Sequence, residues 1–507
     1  MTRATPAVAV VGAGISGLCA ALDLRVAGCE VTVLERAAAP GGKLRRQHPQ
    51  GLALHALAVD AGPTVLTAAG VFADLFRDAR TDLAEHLRFE PLATLARHAW
   101  SATERLDLHA DIERSAAAIA DFAGAAEARG YLRFCADSRR IYATLDPGFM
   151  RVARPSLAGL IRSAGPHRLP DLLRLRPFTT LWRALGGYFR DPRLRQLFGR
   201  YATYCGSSPF AAPATLMLVA HLEQAGVWQV AGGMYALAEA LAGLLRARGV
   251  TLRYATEVRG VRLRAGRVQA LELAGGERLA VSAAILSCDA AAVASGLFGP
   301  AVAPAARRVR PGARSLSALT WTACLPTAGF DLLRHNVFFS ADYAAEFAAL
   351  RAQRMPAQRP TVYVCAQDRQ SGAPPLPAQP ERLLCLINAP ANGDVHDYAA
   401  KEIEQCLTLT RATLEHCGLR LAGPPDRMQA TTPADFHRLF PGSGGALYGA
   451  ATHSWRSSFQ RPGPRTRVPG LYLAGGSTHP GPGLPMAAMS GRNAARCLLQ
   501  DRGLTPH

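Results

Sequence analysis

Six residues near the amino terminus, Gly12-Ala13-Gly14-Ile15-Ser16-Gly17, have the composition of a backbone cradle for phosphate. Gly12 permits a tight turn and Gly14 lets main-chain amides approach a pyrophosphate, while Gly17 lets a following helix pack closely on a sheet. The amides around Ala13, Ile15 and Ser16 then sit at a helix N-terminus, whose partial positive charge favours an anion. Glu35, about 20 residues on, is placed to accept hydrogen bonds from ribose hydroxyls. At the far end, Gly470 to Gly476 is an apolar strand running into the turn Gly475-Gly476, and Ser477 to Met486 follows with Pro480, Pro482 and Pro485. No Ser-His-Asp set, paired carboxylates or metal-ligand spacing stands out. Redox chemistry carried by a bound dinucleotide is therefore the reading, with FAD and NAD both open on these residues alone.

The elements that must position these residues read in order. Ala7 to Val11 is an apolar run suited to a buried parallel strand, Leu18 to Ala27 is helical, and Glu30 to Leu34 reads as a second strand ending in Glu35. In mid-chain, Gly232-Gly233-Met234 precedes a predicted helix over Tyr235 to Arg248 and a strand over Val250 to Val258. Ala487 to Leu499 reads as the closing helix. With 507 residues, 49% hydrophobic and 19% charged, the chain has the size for two or three packed lobes and too little charge for wholesale disorder. Its net charge of +19 is almost all arginine, Lys43 and Lys401 being the only lysines. A basic surface favours anionic partners, and without nucleic-acid-binding signatures it points to lipid headgroups and away from nucleic acid. Residues 151 to 200 concentrate this, with eleven arginines against Asp171 and Asp191, interleaved with Leu169, Leu172, Leu173, Phe178, Leu181, Trp182, Leu185, Tyr188 and Phe189. The 11 cysteines never form a CxxC pair, which suits reduced thiols. Neither a signal-peptide pattern nor an unbroken apolar run of about 20 residues is present, so a cytoplasmic protein lying on one face of the inner or photosynthetic membrane is expected.

The continuation Glu35-Arg36 to Gly41-Gly42-Lys43 resembles the flavoprotein family of amine oxidases, protoporphyrinogen oxidase, Rab escort proteins and phytoene desaturases. Asp60-Ala61-Gly62-Pro63-Thr64 is similar to the family's next flavin-proximal loop in its carotenoid-desaturase form. The C-terminal string Gly475-Gly476-Ser477-Thr478-His479-Pro480-Gly481-Pro482-Gly483-Leu484-Pro485-Met486 looks like the carotenoid desaturases acting on 1-hydroxylated acyclic substrates; Met486 stands where phytoene desaturases more often have glycine. Phe198 to Tyr204 (FGRYATY) and His335 to Phe339 (HNVFF) also resemble that branch. The likeness runs from Val8 to about Leu499.

The resemblance implies FAD as cofactor, bound by Gly12, Ala13, Gly14, Ile15, Ser16, Gly17, Glu35, Arg36, Gly42, Lys43, Gly62, Pro63, Thr64, Val258 (through its backbone), Gly475, Gly476, Pro485 and Met486. It implies an α/β fold: a Rossmann-like FAD-binding domain with an inserted substrate domain made of a mixed sheet and a helical, membrane-proximal cap. The expected division is 1–95, 215–300 and 465–507 for the FAD-binding segments, 96–214 for the cap and 301–464 for the substrate domain. The implied reaction is C3–C4 desaturation of an acyclic 1-hydroxycarotenoid, with the final acceptor open between a quinone and dioxygen and no metal; because the polyene delocalises the positive charge, a weak base or water suffices and no dedicated catalytic carboxylate is required. His479 reads as a hydrogen-bonding scaffold. A phytoene-type desaturase, another carotenoid oxidoreductase or an amine oxidase on the same fold is one alternative, and a flavin-less lipid carrier of the Rab escort kind is another, which the complete glycine set argues against.

Overall fold

The structure is a computed structural model that describes residues 7–49, 58–164, 175, 177–369 and 380–504. Residues 165–174 and 176 of the arginine-rich stretch, with Asp171, Leu169, Leu172 and Leu173, lie outside the described residues.

Its first layer is a five-stranded, wholly parallel sheet drawn from three distant parts of the chain: β1 (Ala7–Val11), β2 (Glu30–Leu34), β3 (Thr251–Arg253), β4 (Ala283–Leu286) and β5 (Leu471–Leu473). The order across the sheet is β3-β2-β1-β4-β5. The inner strands are apolar on both faces, as a sheet covered on both sides requires. Helix α1 (Ile15–Val26) leaves β1, and helix α2 (Leu484–Asp501) follows β5 and packs on α1. Their backbones come so close that a Cβ on Gly491 would stand 1.9 Å from the Ser16 carbonyl oxygen.

The expected strand over Val250 to Val258 is two strands. β3 ends at Arg253, Ala255 turns in the left-handed region (φ 49°), and Val258–Arg264 opens a separate antiparallel sheet with Arg267–Leu273 and Arg278–Ala280. The crossing is held from outside the run, by Ala255 N donating to Ala37 O at 2.9 Å and Thr256 N donating to Glu35 O at 2.8 Å. No glycine or proline marks that break in the sequence.

The second layer is a seven-stranded sheet in the order 429–431, 317–325, 381–389, 362–366, 335–338, 94–99, 105–109. Ser317–Leu325 is buried at every residue, because the sheet is covered on both faces. The hairpin strands Thr94–Ala99 and Arg105–His109 belong to this sheet although they precede the cap helices in sequence. Ile112–Ala123, Ala125–Leu145, Leu157–Ala164, Pro192–Gly199 and Leu218–Gln224 form the cap around a core of Tyr131, Phe134, Phe189 and Phe198. The chain is thus α/β with a mixed second sheet. Among the described residues no helix is long and apolar enough to cross a membrane.

Candidate active site

At the carboxyl end of β1, Gly12 takes φ 103°, and a Cβ there would meet the Ser287 carbonyl oxygen at 2.6 Å. A Cβ on Gly17 would stand 2.0 Å from the Gly12 carbonyl oxygen. Gly14 differs: a Cβ there would meet nothing nearer than Gly41 O and Gly42 Cα, both at 4.0 Å. No side chain caps the N-terminus of α1, so its first amides keep their donors for a ligand. Glu35 is buried, and its carboxylate accepts from Ala13 N at 2.7 Å and Ala37 N at 2.8 Å, which fixes it beside the same turn.

The Gly41-Gly42 turn is tied to the first turn, Gly41 N donating to Ala13 O at 2.8 Å. Lys43 lies over the Phe440 ring at 5.3 Å and donates to Leu447 O. Burial pulls its ammonium below the usual lysine range, against the opposing charge of Asp289. Gly62 packs on this segment, since a Cβ there would fall 2.0 Å from Lys43 O. Pro63 and Thr64 follow, and the Thr64 hydroxyl is 2.7 Å from that of Tyr363. Asp60, which opens this loop, accepts from Met234 N at 2.5 Å, so Gly232-Gly233-Met234 is anchored here.

The second glycine turn arrives beside the first. Gly475 N donates to the Ser490 hydroxyl at 3.1 Å, and a Cβ on Gly475 would lie 3.8 Å from Ser16 Oγ. The chain's two ends therefore converge at the carboxyl edge of the parallel sheet, where crevices of such sheets take their ligands. Between them stands the loop after β4, with Ser287 Oγ 2.6 Å from Ser16 Oγ. Asp289 on this loop has a buried Oδ2 without a partner. Sequence reasoning missed Ser287 and Asp289. The apolar run Ala283–Leu286 followed by Ser-Cys-Asp was the signal, a fourth parallel strand with its own terminal loop.

Two further expected site residues direct their side chains to other partners. The exposed Arg36 donates to the carbonyls of Arg438 at 2.5 Å and Leu439 at 3.0 Å, at the end of helix Pro433–Leu439. Val258 pairs with Leu273, and its side chain packs in the core with Leu34 and Leu473.

Behind the second turn opens a cavity of about 450 Å³. Pro480, Pro482, Gly483, Pro485 and Met486 form its wall on the turn side, and Phe149, Leu160, Leu216 and Val219 belong to the cap side. Pro485 and Met486 open α2, whose N-terminus also lacks a side-chain cap. Leu157, Ile161 and Phe178 carry the apolar lining to the outside, at 53%, 47% and 84% exposure. His479 is wholly buried; its Nε2 lies 2.8 Å from Phe149 O, and its ring meets the Phe149 ring edge-on. Burial pushes its pKa down to about 4, so the ring is neutral at pH 7. A carbonyl only accepts, so Nε2 carries the proton and donates it to this bond.

An uncapped helix N-terminus, an open space in front of Gly14, a fixed carboxylate at the strand end and a second uncapped helix beside an apolar cavity together fit a flavin dinucleotide. The family model described as flavin containing amine oxidoreductase matches residues 15–499. Hydroxyneurosporene desaturase of Rubrivivax gelatinosus is 50% identical over 98% of this chain and 93% of that protein. The Cereibacter sphaeroides protein of the same name is 43% identical over 99% of both, and the all-trans-zeta-carotene desaturase of Myxococcus xanthus is 32% identical over 98% and 94%. Among solved structures, putrescine oxidase superposes with a TM-score of 0.59 over 98% of this chain and 99% of that one; at 15% identity this likeness concerns the fold. The chain belongs to the flavin-containing amine oxidoreductase family, within its hydroxyneurosporene desaturase group, and is an FAD-dependent oxidoreductase.

Proposed function

We propose that the protein introduces the C3–C4 double bond into acyclic 1-hydroxycarotenoids, such as 1-hydroxyneurosporene or 1-hydroxylycopene. The observation that carries this reading is the apolar cavity walled on one side by the second glycine turn, in a chain 50% identical to a hydroxyneurosporene desaturase. Bound FAD supplies the two-electron acceptor for the hydride equivalent that leaves C4, and a quinone or dioxygen takes the electrons onward.

The chain's own residues bind, orient and exclude water. Gly12 and Ala13 shape the turn, the amides of Gly14, Ile15, Ser16 and Gly17 would hold the pyrophosphate, and Glu35 would accept from the ribose. Gly42, Lys43, Gly62, Pro63 and Thr64 border the cofactor from the next loops. Gly475, Gly476 and the opening of α2 at Pro485 and Met486 face its ring, where the helix N-terminus stabilises negative charge. Val258 would contact the adenine side through its backbone, and Arg36 follows Glu35 at the edge of the nucleotide site. Positive charge left on the polyene is spread by conjugation, so loss of the C3 proton needs only a weak base or water. His479 keeps its Nε2 proton on Phe149 O and positions the turn. The division into FAD-binding, cap and substrate parts goes with this reading, except that 94–109 pairs with the second sheet and Leu218–Gln224 packs with the cap helices.

The cavity opens among Leu157, Ile161 and Phe178, and the exposed Arg151, Arg154, Arg162 and Arg183 surround that mouth in sequence. A mouth of this composition suits an anionic bilayer, from which a water-insoluble polyene passes directly into the apolar wall. Replacing Arg151, Arg154 and Arg162 by glutamate is expected to lower binding to anionic liposomes several-fold; unchanged binding counts against this placement. The reaction itself is tested by expressing the protein in cells that accumulate 1-hydroxycarotenoids. A red-shifted product with one more conjugated double bond is expected, and an unchanged absorption spectrum sinks the assignment.

A further inference from the structure

One group of buried polar side chains has no part in holding the cofactor. Glu223, on helix Leu218–Gln224, is 7% exposed and belongs to the wall of the cavity. Its Oε2 accepts from the Tyr201 hydroxyl at 2.6 Å and its Oε1 from the Tyr204 hydroxyl at 2.7 Å. The Arg200 guanidinium lies over the rings of Tyr204 and Tyr363, at 5.3 and 5.4 Å from their centroids. Tyr201, Tyr204 and Arg200 all come from the FGRYATY string. Two tyrosines of that string hold one carboxylate still.

Among the described residues Glu223 has no ion pair; a carboxylate so placed in an apolar wall is costly to desolvate, and two tyrosine hydroxyls offset only part of that cost. Each carboxylate oxygen takes two hydrogen bonds, so Glu223 has acceptor capacity left after its tyrosines. Among the described residues the cavity has one other charged side chain, Arg461. Arg461 has only donors, and they go to the carbonyls of Tyr448, Ala450 and Gly476. It cannot receive a hydroxyl proton.

We propose that Glu223 accepts the hydrogen bond of the substrate's tertiary hydroxyl and so selects hydroxylated over unhydroxylated polyenes. This rests on the reading of the substrate as a 1-hydroxycarotenoid. In such a molecule a single methylene separates the hydroxyl-bearing carbon from C3. The hydroxyl must therefore enter as deep as the reacting bond, and it needs a partner there. Glu223 shares its cavity with Pro485 and Met486 of the second turn. A polyene without the hydroxyl strips water from the carboxylate and returns nothing, which is how a site built around a polar contact rejects the analogue lacking it.

The test uses the FAD-loaded full chain and vesicles carrying either 1-hydroxylycopene or lycopene, with carotenoid transferred to protein measured at equilibrium and turnover followed in parallel. Wild type is expected to prefer the hydroxylated compound, and Glu223→Gln to lower that preference by about 10- to 100-fold, the range for a hydrogen bond to a charged group. Tyr204→Phe is expected to lower it by a few-fold, and decides the matter if Glu223→Gln does not retain FAD. A preference unchanged in the variants, equal losses for both carotenoids, or a wild type without preference overturns the proposal. A wild type that prefers the hydroxylated compound through Glu223 but desaturates neither sinks the assigned reaction and leaves the acceptor standing.

Discussion

The turns that leave β1 and β5 are both strand-to-helix crossings built on glycine, and they work in opposite ways. The first, Gly12 to Gly14, is closed by backbone: a Cβ on Gly12 would stand 2.6 Å from the Ser287 carbonyl oxygen, and one on Gly17 2.0 Å from the Gly12 carbonyl oxygen. What it offers a ligand is bare backbone. The second runs from Ala474 to Gly483 and carries side chains with separate duties. Thr478 donates to Gly475 O at 2.6 Å, His479 reaches Phe149 O, and Pro480 and Pro482 become cavity wall. A site made of backbone fails abruptly when a methyl group intrudes, whereas a wall made of side chains should fail by degrees.

The largest expected effect comes from the first turn. Gly17→Ala forces the helix away from the sheet, and the purified protein is expected to carry essentially no FAD, read as the flavin-to-protein absorbance ratio. A protein that still holds stoichiometric FAD would break the contrast between the turns. Glu35→Ala leaves the amides of Ala13 and Ala37 without their acceptor. It is expected to weaken FAD binding by about 10- to 100-fold in titration of the apoprotein, since hydrogen bonds to a charged group contribute about 1.5–3 kcal/mol. Met486→Ala, in the second turn, removes part of the cavity wall at a half-buried position. FAD content should stay near wild type while kcat/KM on the carotenoid falls about tenfold, at about 0.8 kcal/mol for each methylene-sized group taken out of the wall.

The same contrast explains how much could be read before the structure. The first turn was legible in full, because its requirements are local: β1 runs over Ala7–Val11 as predicted, and Glu35 ends β2 beside Ala13. The outline of the second was legible too, through Gly475, Gly476 and the prolines. What lies between could not be seen. The loop Ser287 to Asp289 meets the first turn only because β4 lies next to β1, a pairing that no local pattern declares. The break between β3 and Val258 depends on hydrogen bonds from Ala255 and Thr256 to residues more than 200 positions earlier. Glu223 stands in no motif of the sequence, and its burial shows only when Tyr201 and Tyr204 are folded over it. FGRYATY and HNVFF were noticed as strings, yet their side chains acquire meaning through Glu223 and Tyr363, which neither string contains.

The smallest effect at neutral pH is also the one that most sharply tests the second turn as a built structure. His479 is held to about pH 4 by burial, against about 6.5 for a free histidine. Among the described residues its buried Nδ1 has no hydrogen-bond partner, so charging the folded ring buries a second donor. Below pH 6.5 the unfolded chain takes up this proton and the folded chain does not, so the unfolded state is favoured progressively as pH falls towards 4. The neutral ring's contribution is therefore fully present above pH 6.5. About 2–3 kcal/mol of it should be gone by pH 4.5. His98 and His335, each pushed down to about 3 by burial, add slopes of the same sign. His479→Asn keeps a donor for Phe149 O but has no proton to bind. Urea unfolding of wild type and variant at pH 7 and pH 4.5 should show a pH-dependent loss smaller by about 2–3 kcal/mol in the variant. Equal losses in the two proteins would mean that His479 is open to water in solution, and that the second turn does not close against the cap at Phe149.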